Sequence, residues 1–161
     1  MRTSLNGIEF DPKGCLGCYM VNNPGALGDY LLPIYQDDLV LLTQDVECPV
    51  PGFYILSTKK HVSSITELTP EENAHLMDVL YKVRLAMKNI LGIDQATLIQ
   101  EEKEDIGHLH FWLLPVWDAA FNPRVGKNNI YDYIRGFSFA QNKDKILDYN
   151  EKMRLFLKGE K

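Results

Sequence analysis

Cysteine and histidine, the side chains that bind soft metals or act as nucleophiles, fall at telling intervals in this chain. GCLGC (14–18) places Cys15 and Cys18 three residues apart, and ILSTKKH closes a hydrophobic run on His61. GHLHFWLLP (107–115) then alternates His108, His110 and Trp112 with Leu109, Phe111 and Leu113. On an extended strand alternate side chains share a face, so two imidazoles and an indole form one row and three apolar residues the other. An H-x-H pair alone is a common feature of exposed strands, and its weight comes from its company. Zinc takes about four cysteine or histidine ligands in a tetrahedron. Cys15, Cys18, His61 and one histidine of the 108–110 pair supply such a set. A strand does not easily aim both histidines at an ion already holding three ligands, so one imidazole stays free for chemistry. A redox dithiol is the other reading of C-x-x-C, but GCLGC lacks a thioredoxin-like setting.

The elements that must carry these residues are legible in part. Asp38 to Thr43 reads as a mostly buried strand, PVPG (49–52) as a turn, and Phe53 to Ser57 as the next strand, giving an antiparallel pair. Thr69-Pro70-Glu71-Glu72 is a helix start, with threonine as cap, proline at the first helical position and Glu72 closing a capping box. Leu76, Val79, Leu80, Val83, Met87, Ile90 and Leu91 follow at helical spacing until Gly92. Ala96 to Gln100 resumes as a strand, with Gly107 to Pro115 as its hairpin partner. Ile146, Tyr149, Met153 and Phe156 mark an amphipathic C-terminal helix that docks on the body or on another subunit. This order describes an α+β domain with a mainly antiparallel sheet, Leu109, Phe111 and Leu113 packing beneath the helix.

A chain of 161 residues with 45% hydrophobic and 24% charged residues suits one globular domain, here 1–161. No apolar run spans a bilayer and the first residues carry no signal-like stretch, so the expectation is a cytoplasmic protein without a membrane partner. The net charge of −5 argues against a nucleic-acid partner, while leaving room for a small anion in a local pocket. Three cysteines make no disulfide framework, and Cys48 is expected to be a thiol of no special role.

From Cys15 to Pro115 the chain resembles the histidine triad (HIT) superfamily of phosphoramidate hydrolases, dinucleoside polyphosphate hydrolases and galactose-1-phosphate uridylyltransferases. The resemblance rests on IYQDDLVLLTQDVECPVPGFYILSTKKH and on the alternating histidines that close in L-L-P. It implies a HIT-like fold with about five strands and a long helix on the sheet; the extension, 116–161, carries the amphipathic C-terminal helix, and its part after Pro123 falls outside the resemblance. It further implies that His110 is the nucleophile attacking the α-phosphorus of a nucleotide. His108, Cys15, Cys18 and His61 would then hold a structural zinc, Asp45 the ribose hydroxyls, and Val46 the base pocket. A homodimer is likewise implied. A neutral imidazole attacks without needing deprotonation, provided its other nitrogen is held by an acceptor such as a backbone carbonyl.

Two departures bear on function. Trp112 stands where the third histidine would be, a place the uridylyltransferases fill with glutamine. Its indole N–H can bond a phosphate oxygen but relays no proton, and filling space beside the zinc is the equal alternative. Glu101-Glu102-Lys103-Glu104-Asp105 replaces a glycine-rich turn, and Asp105 falls where a hydroxyl would donate to phosphate. A carboxylate about 6 Å from a phosphate costs roughly 3 kcal/mol at an effective dielectric of 20. The loop therefore turns to solvent or the substrate is not a polyphosphate, with Lys103 able to offset part of the repulsion. His75 carries no matching role, and Lys59 and Lys60 either steer an anion towards His61 or are simply exposed. The activity implied is a nucleotidyl hydrolase or transferase, with a catalytically weak nucleotide-binding module as the alternative.

Overall fold

A computed structural model describes residues 1–102, 107–118 and 129–159. In chain order the elements are β1 (Arg2–Thr3), β2 (Glu9–Phe10), α1 (Leu16–Asn22), β3 (Tyr35–Gln36), β4 (Val40–Gln44), β5 (Tyr54–Thr58), α2 (Pro70–Leu91), β6 (Ala96–Gln100), β7 (His110–Pro115), α3 (Ile130–Arg135) and α4 (Phe139–Leu157). Strands β1 and β2 pair alone, and the other five form one antiparallel sheet in the order β3-β4-β5-β7-β6. The fold is α+β with a five-stranded antiparallel sheet, as the sequence predicts.

Local chemistry accounts for α2. Thr69 Oγ1 accepts from the Glu72 amide at 3.2 Å, and the Glu72 carboxylate accepts from the Thr69 amide at 2.9 Å, the reciprocal bonds of a capping box. Gly92 ends the helix at φ 68°, a left-handed conformation that glycine adopts without strain. Leu76, Val79, Leu80, Val83, Met87 and Leu91 are buried, whereas Ile90, in the last turn, stands 39% exposed.

The two faces of the sheet do different work. On one, Val40, Leu42, Tyr54, Leu56, Leu109 and Leu113 form the main core with the apolar stripe of α2, and Phe111 packs against it. Residues paired across β4, β5 and β7 share a face, so Leu41, Ser57 and His110 look the other way, as do Thr43, Ile55 and Trp112. That second face meets the N-terminal segment, where Leu41 and Val46 pack with Leu5, Phe10, Met20, Leu27 and Leu31. Helix α1 is thereby held against the histidine row. Helix α4 docks on the body: Met153 enters the main core, Asn150 Nδ2 donates to the Tyr30 carbonyl at 3.1 Å and Arg154 Nε to the Pro33 carbonyl at 3.0 Å. Phe156 lies off the docked face, 38% exposed. No helix among the described residues is long and apolar enough to cross a membrane.

Candidate functional site

Cys15 caps the N-terminus of α1, its Sγ accepting from the Cys18 amide at 3.3 Å, and one helical turn brings the Cys18 thiol beside it. His61 lies three residues after β5 and His108 two before β7, so the β5–β7 pairing brings both imidazoles to the same thiols. The four donor atoms lie within 4.8 Å of one another. Cys15 Sγ is 3.4 Å from His61 Nδ1 and 3.3 Å from His108 Nδ1, and Cys18 Sγ is 3.2 and 3.6 Å from the same atoms. Tetrahedral zinc, with Zn–S of about 2.3 Å and Zn–N of about 2.0–2.1 Å, sets sulfur and nitrogen ligands about 3.6 Å apart. The quartet fits that ion without rearrangement.

The surrounding hydrogen bonds agree. His108 Nε2 lies 2.7 Å from the Thr58 carbonyl, which fixes the proton on Nε2 and leaves the Nδ1 lone pair facing the sulfurs. Burial, the largest influence, lowers the His108 pKa and favours the neutral, ligating form. Burial, and then the Cys15 sulfur beside it, push the Cys18 thiol up to about 11, so a metal binding here displaces that proton. Of the histidine pair, His108 joins the cluster and His110 does not.

His110 stands on the same face and lines a cleft of about 360 Å³. Its Nδ1 is 2.6 Å from the carbonyl of His108, an acceptor that holds the proton on Nδ1 and leaves the Nε2 lone pair available. Ser57 of β5 lies directly opposite. The register Gln100↔Phe111 puts the next residue, Glu101, across from His110 on the other side, and Glu101 also lines the cleft.

Asp45, Val46 and Trp112 line the same cleft. Asp45 is partly buried, and its Oδ1 accepts from the amides of Glu47 at 2.9 Å and Cys48 at 2.7 Å, closing the turn after β4. Burial pushes its carboxyl up against the opposing pull of those amides. Cys48, expected to have no role, has its thiol on this carboxylate, and burial foremost, then the Asp45 charge, raises its pKa. Val46 is buried. Trp112 meets Phe53 edge-on, with centroids 5.4 Å apart at 73°, and joins the cluster of Val50, Phe53, Leu114 and Ile134. Four residues of strand separate it from His108, roughly 13 Å. It fills space next to Phe53 and not beside the metal quartet, which corrects that alternative.

Several contributors lie outside the sequence reading. Gly17 faces the His108 ring so closely that a Cβ there would meet Cγ at 2.5 Å. Tyr131 enters the cleft from α3, whose neighbour Tyr133 donates to the Pro115 carbonyl at 2.9 Å. Arg2 reaches the rim, paired with Glu47 at 3.2 Å. The x-x between two cysteines was the one available signal for Gly17; the others depend on tertiary packing.

The remaining residues separate cleanly. Lys60 is bonded to both Glu72 carboxylate oxygens at 2.8 Å and so supports the helix start. Glu102 turns away, accepting from the Ile65 amide at 2.9 Å. Lys103, Glu104 and Asp105, with Pro123, lie outside the described residues. His75 Nε2 lies 2.7 Å from Asp37 Oδ2, and neither residue lines the cleft.

A family model described as HIT domain matches residues 32–117, which include every site residue named above from Asp45 to Trp112 but neither Cys15 nor Cys18. An uncharacterised HIT-like protein of Synechocystis is 34% identical over 86 residues, covering 50% of this chain and 75% of that one. A zinc-bound histidine triad family protein of Mycobacterium smegmatis is similar in fold, with a TM-score of 0.63 at 15% identity over 94% of this chain and 100% of its own. A hypothetical histidine triad nucleotide-binding protein of Sulfolobus tokodaii gives 0.61 at 20% identity over 90% and 93%.

Proposed function

The chain belongs to the HIT domain family, and on that premise we propose that it is a nucleotidyl hydrolase or transferase working through a covalent bond to His110. The observation that carries this reading is a single imidazole beside a metal-binding quartet but outside it, its Nδ1 held by the His108 carbonyl at 2.6 Å and its ring in the cleft. Nε2 attacks the α-phosphorus of a nucleoside phosphate derivative, and the leaving group departs. Water or another acceptor then takes the nucleotidyl group and returns the electron pair to Nε2. Asp45 binds the ribose hydroxyls, Val46 packs the base and Trp112 forms the wall beyond His110.

Cys15, Cys18, His61 and His108 hold a structural zinc, whose charge favours a nearby phosphate. His108 serves the cleft through its carbonyl, which sets the tautomer of His110. The unit is one domain, 1–161, assembling as a cytoplasmic homodimer on small nucleotides.

The test is incubation with nucleoside phosphoramidates, dinucleoside polyphosphates and nucleotide sugars, with mass spectrometry for a nucleotidyl adduct. Turnover and adduct are expected with at least one of these classes, both lost in His110→Ala; indifference to that substitution would sink the reading. A second reading, a catalytically weak nucleotide-binding module, draws on Glu101 opposite His110 and on Trp112. Nucleotide affinity without turnover would favour it, as would activity gained on Asp105→Ser.

A further inference from the structure

Nucleotidyl transfer through His110 requires that something receive the electron pair of the broken P–O or P–N bond, and the described residues of the cleft limit what that can be. His108 has both ring nitrogens committed, Nδ1 to the metal quartet and Nε2 to the Thr58 carbonyl. Arg2 and Glu47 hold each other, and Asp45 binds the amides of residues 47 and 48. Ser57 directs its hydroxyl back to the Leu41 carbonyl at 3.4 Å. Glu101, across β6 from His110, flanks the attacking ring, whereas an in-line leaving group departs on the far side of phosphorus.

The cleft-face position after His110 on β7 belongs to Trp112. Its indole has one N–H and no titratable proton. The ring is fixed edge-on against Phe53 at 5.4 Å within an apolar cluster, and Ile55 stands beside it in the sheet register. Among the described residues, the cleft wall next to His110 along β7 is aromatic and aliphatic, Trp112 with Ile55, while the Tyr131 phenol comes from α3.

We propose that Trp112 determines specificity by leaving-group basicity, restricting the protein to nucleotidyl compounds whose leaving group departs as an anion without receiving a proton. This rests on the reaction through His110 stated above. The substrates are mixed anhydrides and esters that release a carboxylate, a phosphate or an acidic phenolate, whose conjugate acids have pKa values below about 7. Amines and alkoxides, which must be protonated to leave, are excluded. In the first step the Nε2 lone pair forms the N–P bond while the P–O bond breaks, and its electron pair leaves on oxygen. The proton stays on Nδ1, hydrogen-bonded to the His108 carbonyl, and the ring becomes cationic as Nε2 bonds phosphorus. In the second step water forms the new P–O bond, the N–P pair returns to Nε2, and the water proton passes to solvent.

The experiment uses zinc-loaded full-length protein and substituted-phenyl esters of adenosine and guanosine 5′-monophosphate, phenols of graded acidity providing the series. In wild type, kcat/KM should fall roughly fivefold to tenfold for each unit rise in phenol pKa. Trp112→His should flatten this dependence and speed the most basic esters at least about tenfold. A shallow dependence in wild type would overturn the proposal without needing any variant to fold, and one that turned steep in Glu101→Gln would pass the acid role to Glu101. Absence of both turnover and His110 adduct with every ester would instead sink the reaction itself, and this inference with it.

Discussion

Gly17 and His108 are in contact across the metal site: a Cβ on Gly17 would stand 2.5 Å from Cγ of the imidazole and 2.7 Å from Nδ1. Those separations lie far inside van der Waals contact. The ring has no room to yield, because its Nε2 is tied to the Thr58 carbonyl at 2.7 Å and its Nδ1 faces both sulfurs. Gly17→Ala must therefore shift α1, with its two cysteines, or rotate the imidazole. Either moves ligand atoms out of a tetrahedron. Competition against a chromogenic chelator should show zinc affinity reduced at least about tenfold, in the range known for disturbed ligand orientation. Undiminished affinity would mean that the helix approaches the ring less closely than this geometry requires.

Zinc also belongs to the stability of the fold, because it ties α1 to the ends of β5 and β7. A ligand that binds only the folded state stabilises it by about 4 kcal/mol at a thousandfold excess over its dissociation constant, roughly 10 °C in Tm for a chain of this size. Chelation of the reduced protein should lower Tm by that order. His61→Ala and Cys15→Ser should copy the loss in stoichiometric metal analysis, whereas a free redox dithiol would leave metal content and Tm unchanged.

What the sequence disclosed follows the range of the interactions concerned. Helix α2 was legible from end to end because its signals are local: the Thr69–Glu72 box, Pro70, the apolar stripe and Gly92. The metal quartet was legible as residue types, with the choice of His108 over His110 supplied by the resemblance; the four donor groups do cluster. Insertion of β7 between β5 and β6 was not legible, since pairing Ser57 with His110 joins strands 53 residues apart (110 − 57). Placing Glu101 beside His110 needs the β6–β7 register, which a hairpin prediction without a fixed turn does not supply. Helix α3 is six residues long, too short for a periodic signal, and is held by the Asn129 cap and by Tyr133 on Pro115. The role of Gly17 was not legible, because nothing nearby in sequence announces an imidazole from 91 residues away (108 − 17).

Asp45 carries two duties that one pair of substitutions can separate. Its Oδ1 closes the turn after β4 through two amide bonds, and the same residue lines the cleft. Asp45→Ala removes both functions and should cost about 2 kcal/mol, because two amides, one of them part-buried, lose their acceptor. Asp45→Asn keeps an oxygen for the amides but no charge for ribose hydroxyls. It should leave Tm within a few degrees of Asp45 itself, roughly 1 kcal/mol, while raising KM for a nucleotide substrate about tenfold. Equal losses of Tm in both variants, with KM untouched, would assign Asp45 to the turn alone.

Acid should weaken the fold through Asp37, on the edge of the sheet remote from the cleft. Burial raises this carboxyl, but hydrogen bonds from His75, Val40, Leu39 and Tyr35 outweigh it and bring the pKa from 3.8 down to about 2. The distances are 2.7 Å to His75 Nε2, 2.9 Å to the Val40 amide, 2.8 Å to the Leu39 amide and 2.9 Å to Tyr35 Oη. A pKa lower in the folded than in the unfolded chain means that the unfolded chain binds protons first as pH falls. The stabilisation is therefore complete above about pH 5, declines as pH drops from about 4 towards 2, and is gone below both values. Its size is at most about 2 kcal/mol, less in salt because the His75 partner is half exposed. Asp37→Asn keeps an acceptor for the two amides but cannot titrate. Urea unfolding of both proteins should show wild type more stable at pH 6 and the difference closing between pH 4 and 2. A difference that stays constant over that interval would show that the carboxylate charge contributes nothing and that the turn is held by neutral hydrogen bonds alone.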